Sequence, residues 1–187
     1  MDGLLEHISQ YAHLSPEARG ALESSFQQLV LKKQDHLLEE SRICRHLYFL
    51  QQGAIRGYYR VDGKEITHWF AFENDFVTSF HSFITQQPAV ENLQLLEGSV
   101  LWMISKEKLD ELFNQFHEIE RAVRIAYEKY YIRLEERYVN AHFKSAAERY
   151  EQLIHTTPHI LERIPLGLIA SYLGISQETL SRIRSRF

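Results

Sequence analysis

The order of hydrophobic and polar residues divides the chain into a helical start, a β-rich middle and a long helical remainder. Near the beginning, Ser15-Pro16-Glu17 is typical of a helix start, because serine is a good cap and proline suits the first helical position. From Gln28 to about Ser105, short runs of aromatic and β-branched residues alternate with turns. After Ser105, the apolar residues recur with helical spacing.

Two aromatic runs in the middle of the chain predict a β-hairpin. "LYFLQQGAIRGYYRV" and "EITHWFAF" lie on either side of Asp62-Gly63, a dipeptide typical of a two-residue turn. Four alternating residues of the second run share one face: Ile66, His68, Phe70 and Phe72. "NLQLLEGSVLWMIS" predicts two more strands around Glu97-Gly98. Many short strands without a βαβ rhythm favour an antiparallel barrel or jelly roll, so we expect an α+β fold.

The helical remainder contains one long predicted helix with a regular seam. Helices are predicted over 106–116, over 118 to about 140 and over 149–155. Along the second helix, six residues recur at alternating spacings of four and three, as in a coiled coil: Val123, Tyr127, Tyr130, Leu134, Arg137 and Ala141. We expect a homodimer joined through the first four of them. The same spacing also suits a helix that lies on its own β domain.

The last predicted unit, "LGLIASYLGISQETLSRIRS", has the spacing of a helix-turn-helix. The small residue Ala170 stands where a second helix would cross closely, and Gly174 follows where the chain must turn at positive φ. Ser176 is a good cap for the second helix. The inward apolar positions are filled by Ile175, Leu180 and Ile183. The alternative is a plain helical hairpin packed on the body of the protein.

The outward face of the second helix carries residue types that read base edges in DNA. Arginine pairs with guanine, glutamine pairs with adenine, and glutamate accepts from cytosine. From position 176 to 187 there are three arginines and one glutamate, a local charge of +2 in a chain of net charge −4. We expect helix 176–186 to enter the major groove of double-stranded DNA. The candidate DNA-binding residues are Ser176, Gln177, Glu178, Ser181, Arg182, Arg184 and Arg186.

Composition and missing motifs narrow the class of protein. The chain has 187 residues, of which 44% are hydrophobic and 25% charged, so it is globular. Its single cysteine, Cys44, excludes an intramolecular disulfide and an all-cysteine zinc or iron–sulfur site. The first residues do not resemble a signal peptide and no apolar run is long enough for a membrane span, so we expect a cytoplasmic protein without a membrane partner. Catalytic loop motifs and metal-ligand spacings are missing from the sequence, so we do not expect an enzyme.

Helices, a β domain, a long helix and a helix-turn-helix follow one another in an order that resembles the Crp–Fnr family of bacterial transcription regulators. The resemblance rests on "LYFLQQGAIRGYYRVDGKEITHWFAFENDF" and "IASYLGISQETLSRIRS". It implies a cyclic-nucleotide-binding-like sensor domain over 1–116, a dimerisation helix over 117–142 and a DNA-binding domain over 143–187. It also implies an inverted-repeat operator, RNA polymerase as a further partner and a small-molecule effector of unknown identity.

Two features of the DNA-binding end depart from the family pattern. The family usually has an arginine where Gln177 stands, so the operator is expected to differ from the commonest one. The sequence given ends where the family adds a β-hairpin wing, so we expect a wingless domain with fewer phosphate contacts. Weaker binding with a shallower salt dependence would follow.

The sensor region departs from the cassette with which cyclic-AMP-binding relatives hold their ligand. The place of the family's Gly-Glu pair reads Thr78-Ser79, and the place of its Arg-Ser pair falls at or beside Ala89-Val90. No arginine or lysine occurs between Glu65 and Ser105, and a buried phosphate without a cation is costly to desolvate. Arg56 and Arg60 are substitutes to which the resemblance does not point. We therefore predict no cofactor and no cyclic-AMP binding of the usual kind.

An apolar effector is the other interpretation of this region. The candidate effector-pocket residues are His68, Phe70, Phe72, Thr78, Ser79, Phe80, Ala89 and Val90. The aromatic rings could instead simply fill the barrel, and His68 or His81 could serve as a haem ligand, as in some relatives. Three function classes remain: a dimeric DNA-binding regulator, a ligand-binding β domain whose helix-turn-helix is a docking surface, and an enzyme on a jelly roll.

Overall fold

The described residues form eight β-strands, with helices before and after the β region along the chain. The computed structural model describes residues 1–185. Its helices are α1 Asp2–Ser9, α2 Pro16–Ser25, α3 Phe80–Thr85, α4 Lys106–Gln115, α5 His117–Phe143, α6 Ala146–Thr156, α7 Ile160–Arg163, α8 Leu166–Tyr172 and α9 Gln177–Arg184. Its strands are β1 Gln27–Leu31, β2 His36–Leu38, β3 His46–Gln52, β4 Ile55–Val61, β5 Lys64–Ala71, β6 Phe76–Val77, β7 Asn92–Leu95 and β8 Ser99–Ser105.

The strands form two four-stranded sheets. Their orders are β1-β8-β3-β6 and β2-β7-β4-β5, so that strands distant in sequence become neighbours. In the first sheet β8 pairs antiparallel with both β1 and β3. Two sheets with these crossovers make a jelly roll, which confirms the predicted α+β fold. Its core is built from apolar side chains of the central strands, among them Phe49, Leu50, Ile55, Leu93, Leu95 and Leu101.

The hairpin turn and the serine helix cap predicted from the sequence are present in the structure. Strands β4 and β5 are joined by Asp62 at φ +50° and Gly63 at φ +75°, the two positive values that a type I′ hairpin turn requires. Ser15 and Ser105 cap α2 and α4 by accepting the backbone N–H of the residue three positions on, at 3.1 Å in both cases. The local signals of the sequence therefore set the ends of these elements.

The face of β5 that the alternation of residues groups together is not the buried face of the strand. The alternation in β5 grouped Ile66 with His68 and Phe70, and Ile66 is 42% exposed while the two rings are half-buried. The fully buried residues of β5 are Thr67 and Ala71, which belong to the opposite face. The better covered face of β5 is therefore the one that carries Thr67, Trp69 and Ala71.

The chain separates into two compact units. The first contains residues 1–57 and 70–130, and the second contains residues 58–69 together with those from 131 on. The end of the β4–β5 hairpin therefore belongs with the C-terminal helices. The domain limits expected from the sequence, at 116 and 142, stay a prediction. Within the described residues, no helix combines the length and apolar character that a membrane crossing requires.

In the second unit, the hairpin is held by side chains of two helices. The Ser171 hydroxyl of α8 accepts the backbone N–H of Thr67 at 3.0 Å and donates to the backbone carbonyl of Glu65 at 3.2 Å. Arg137 of α5 donates to the backbone carbonyl of His68 at 3.3 Å. Strand β5 is at the edge of its sheet, where such backbone groups lack a neighbouring strand. Side chains of the C-terminal helices thus satisfy part of a sheet edge.

Ser171→Ala should therefore destabilise the second unit. It leaves the Thr67 N–H and the Glu65 carbonyl without the hydroxyl, and we expect a loss of about 1–2 kcal/mol in the free energy of unfolding. Chemical denaturation gives this difference, and hydrogen exchange should show faster exchange of the Thr67 amide.

Ser181→Ala is the matched control for that measurement, because Ser181 is also helical but exposed. Both substitutions change helix propensity equally, so the difference between them isolates the contact with β5. Equal stability of the two variants, with unchanged Thr67 exchange, would contradict the role given to Ser171.

Candidate nucleic-acid interface and effector site

The two last described helices meet at a tight turn. Helix α8 ends at Tyr172 and α9 begins at Gln177, with Gly174 between them at φ +65°. Such a φ favours glycine, because a Cβ would strain the backbone there. The backbone N–H of Ile175 donates to the carbonyl of Ala170 at 3.0 Å, which closes the turn. Ala170 itself is buried, as expected for a close crossing.

Helix α9 is fixed at one end by a cap and along one side by apolar burial. The Ser176 hydroxyl accepts the backbone N–H of Thr179 at 3.2 Å, as predicted. Leu180 and Ile183, three positions apart, are 1% and 7% exposed. Because these two anchor one face, the opposite face of α9 is directed outward.

The outward face carries the predicted base-reading side chains in exposed positions. These exposed residues are Ser176, Gln177, Glu178, Ser181, Arg182 and Arg184. The Arg182 guanidinium donates to the Thr179 hydroxyl at 3.2 Å. Hydrogen bonds from Ser176 and the backbone, and the charge of Arg182, lower the pKa of Glu178. Arg186, also predicted to bind DNA, lies outside the described residues.

Gln177 is exposed but is not extended away from the protein. Its side-chain nitrogen lies 2.4 Å from the position that a Cβ on Gly167 would take, and its Cδ lies 3.6 Å from it. The carboxamide therefore rests against the backbone of α8. The sequence predicts Gln177 on the reading face and contains no signal of this contact with Gly167.

Arg149 is a contributor that the sequence did not reveal. One guanidinium nitrogen donates to the carbonyl of Leu173 at 2.8 Å, and another donates to the carbonyl of Lys144 at 2.7 Å. Arg149 thereby ties α6 to the turn between α8 and α9. No local pattern signals this role, because its partner in the turn is 24 positions away.

In the β domain, the predicted effector residues enter a buried polar network. Thr78 donates to the carbonyl of His46 at 3.0 Å and lies 3.2 Å from the sulfur of Cys44. Ser79 donates to a carboxylate oxygen of Glu91 at 2.7 Å, and both residues are buried. The hydroxyl groups that stand in place of the family's Gly-Glu pair are thus engaged with the protein itself.

The second half of the family's cassette is divided between the interior and the surface. Ala89 is buried, whereas Val90 is 66% exposed. Among the described residues, Arg56 is a buried cation of this domain, and its Nε and Nη2 both donate to the side-chain oxygen of Gln94, at 2.9 and 2.6 Å. Arg60 lies near Tyr58, with its guanidinium carbon 5.9 Å from the ring centroid.

Phe80, a predicted effector-pocket residue, contacts two residues of the predicted dimer seam, Tyr127 and Tyr130. Its ring stacks on Tyr130 of α5, with centroids 3.9 Å apart, and meets Tyr127 edge-on at 5.6 Å. Burial, and to a lesser extent the charge of Asp110, raises the pKa of Tyr127 to about 12. The aromatic cluster of Phe80, Tyr127 and Tyr130 therefore joins α3 to α5 within one chain.

The other aromatic candidates lie on the β5 side. His68 stacks on Tyr59 with centroids 4.3 Å apart, and Phe70 and Phe72 are half-buried. His81 is exposed on α3.

Helix α5 exposes apolar side chains on two sides beyond Tyr130. Leu134, of the predicted seam, is 44% exposed, and Val123 is half-buried. On the opposite side, Ile132 and Val139 are 52% and 43% exposed. The tyrosines of the predicted seam contact their own chain, whereas Leu134 remains available.

Comparison with known proteins assigns the β region. Residues 28–116 match the family model of the cyclic nucleotide-binding domain. No curated protein sequence matches the chain significantly.

Solved structures of bacterial regulators share the fold at low sequence identity. FixK2 from Bradyrhizobium japonicum has a TM-score of 0.73 at 16% identity, covering 86% of this chain and 83% of its own. A Crp/Fnr-family protein from Eubacterium rectale has a TM-score of 0.71 at 18% identity, covering 93% and 83%. The c-di-GMP-responsive regulator CLP from Xanthomonas campestris has a TM-score of 0.63 at 18% identity, covering 92% and 91%. Residues 28–116 of this chain thus form a jelly roll of the cyclic nucleotide-binding type, and the structural neighbours of the chain include Crp/Fnr regulators.

Proposed function

We propose that this protein is a homodimeric, DNA-binding transcription regulator of the Crp–Fnr type. The observation that carries the proposal is the α8–α9 pair, in which α9 is capped by Ser176, anchored by Leu180 and Ile183, and exposes Glu178 and Arg182. A rigidly held helix with an exposed polar face of these residue types suits the major groove. The fold of the structural neighbours supports the same interpretation.

The β domain then acts as the sensor, but not for cyclic AMP in the usual way. A cyclic phosphate needs a cation close to it, and the places of the family's cassette hold Ser79, Ala89 and the exposed Val90. Ser79 is already bonded to the buried carboxyl group of Glu91, which would repel a phosphate when ionised. An effector of different chemistry remains open, and a role as a ligand-binding domain with a docking helix pair is the second candidate function.

Arg182 and Arg184 should respond differently to mutation. Arg182 lies four positions after Glu178 and shares its side of α9, so Arg182→Ala should cost about 1–3 kcal/mol on the true operator and relax discrimination at one base pair per half-site. Arg184→Ala should weaken specific and random DNA alike and lower the salt slope by about one.

The test is a mobility-shift series with both variants on operator and scrambled DNA at two salt concentrations. The operator is first selected from random inverted repeats with half-sites about one helical turn apart. Equal losses for both variants on both DNAs would show that α9 does not read bases. No loss for either variant would favour the docking function.

Calorimetry with cyclic AMP and cyclic GMP should detect no micromolar affinity. The physical reason is that the places of the family's cassette, Thr78-Ser79 and Ala89-Val90, carry no cation, and that Ser79 is bonded to Glu91. Phe80→Ala serves as the matched variant, because it opens the aromatic cluster without adding a cation. Micromolar binding by the wild type would overturn the prediction, and binding by Phe80→Ala alone would make the aromatic cluster, not the missing cation, the obstacle.

Leu134→Glu should shift the protein from dimer toward monomer, since it buries a charge in the predicted seam. Ile132→Glu is the matched control, because it lies two positions away, about 200° around the same helix, and is similarly exposed. Sedimentation measures both variants. A dimer that survives Leu134→Glu but not Ile132→Glu would move the interface to the opposite side of α5.

A further inference from the structure

Glycine at position 167 leaves open a space that the side chain of Gln177 fills. Gly167 is the second residue of α8, and Gln177 is the first residue of α9. A Cβ added at Gly167 would lie 2.4 Å from the Gln177 amide nitrogen, closer than the 3.0 Å below which real Cβ contacts essentially never occur. Any other residue at position 167 would therefore displace the carboxamide.

We propose that Gly167 is a specificity-determining residue that acts through Gln177. By leaving this space open, it allows the carboxamide to lie back against α8, away from base edges. This inference rests on the proposed DNA-binding function and refines it. Gln177 occupies the first turn of α9, from which side chains of a recognition helix reach the bases. A glutamine that lies against α8 does not present its amide and carbonyl together to an adenine.

The recognition of base edges then depends on Glu178 and Arg182 of α9. The Arg182 guanidinium donates to the Thr179 hydroxyl, and the pKa of Glu178 is lowered by its hydrogen bonds and by the charge of Arg182. These two exposed groups lie on one side of the helix, four positions apart. The operator position facing Gln177 is accordingly tolerant of sequence, whereas the position facing Arg182 is not.

Gly167→Ala should release the glutamine. The new Cβ is fixed to the helix backbone, whereas Gln177 has three rotatable side-chain bonds, so the carboxamide moves outward and the backbone stays. Once outward, it can pair with adenine in the major groove. The variant should gain a preference of about tenfold for one base pair in each half-site, as a bidentate contact provides.

The experiment selects operators from randomised inverted repeats with four proteins: wild type, Gly167→Ala, Gln177→Ala and the double variant. We expect the effect of Gln177→Ala on base preference to be about tenfold larger in the Gly167→Ala background than in the wild-type background. An equal effect in both backgrounds overturns the proposal. Gly20→Ala is the control for adding a methyl group to an exposed helical glycine, since a Cβ there meets nothing within 4 Å and should leave preference unchanged.

A second measurement needs no DNA. In the free wild-type protein, the Gln177 side-chain amide protons should give a nuclear Overhauser effect to the Gly167 Hα protons, and Gly167→Ala should abolish the contact with position 167. Absence of the effect in the wild type overturns the proposal whatever the selection gives. If no protein enriches any sequence while the effect is present, DNA reading itself fails, and the specificity role of Gly167 fails with it.

Discussion

The free edge of strand β5 is the constraint around which the second unit is organised. Backbone N–H and C=O groups at a sheet edge must find partners, because leaving them buried and unpaired costs as much as a lost hydrogen bond. Here one hydroxyl, that of Ser171, satisfies both a donor and an acceptor of β5, and Arg137 satisfies a third group at His68. Helices α8 and α5 are thereby attached to the end of a hairpin whose strands begin in the jelly roll.

The turn between α8 and α9 also depends on hydrogen-bond partners for its backbone groups. The Leu173 carbonyl accepts a hydrogen bond from Arg149, and the Ala170 carbonyl accepts one from the N–H of Ile175. Gly174 supplies the positive φ that brings these groups into reach. With the backbone satisfied, Leu180 and Ile183 can be buried while the polar side of α9 stays exposed. The polar side chains of α9 are therefore directed outward because Leu180 and Ile183 fix the opposite side of the helix in the interior.

The sequence predicted what local chemistry decides and missed what long-range contacts decide. The Asp62-Gly63 turn and the Ser15 and Ser176 caps follow from propensities over a few residues. Ser171 and its partner Thr67 are 104 positions apart, and no periodicity signals that contact. The seam of α5 was ambiguous for a related reason, since a helix packed on its own domain and a helix packed on a second copy show the same spacing. The contact of Tyr127 and Tyr130 with Phe80 shows that part of that seam serves intrachain packing.

The aromatic cluster of Phe80, Tyr127 and Tyr130 also bears on how an effector could change the conformation of the proposed sensor domain. A ligand shifts a conformational equilibrium only by its differential affinity for the two states. In this chain Phe80 contacts α5, and the hydroxyl groups of Thr78 and Ser79, which replace the family's cassette, are hydrogen-bonded to His46 and Glu91. An effector that mimicked a cyclic nucleotide would have to break those contacts before making its own. Under the proposed function, the engaged hydroxyl groups of Thr78 and Ser79 therefore argue for an effector other than a cyclic nucleotide bound in the usual way.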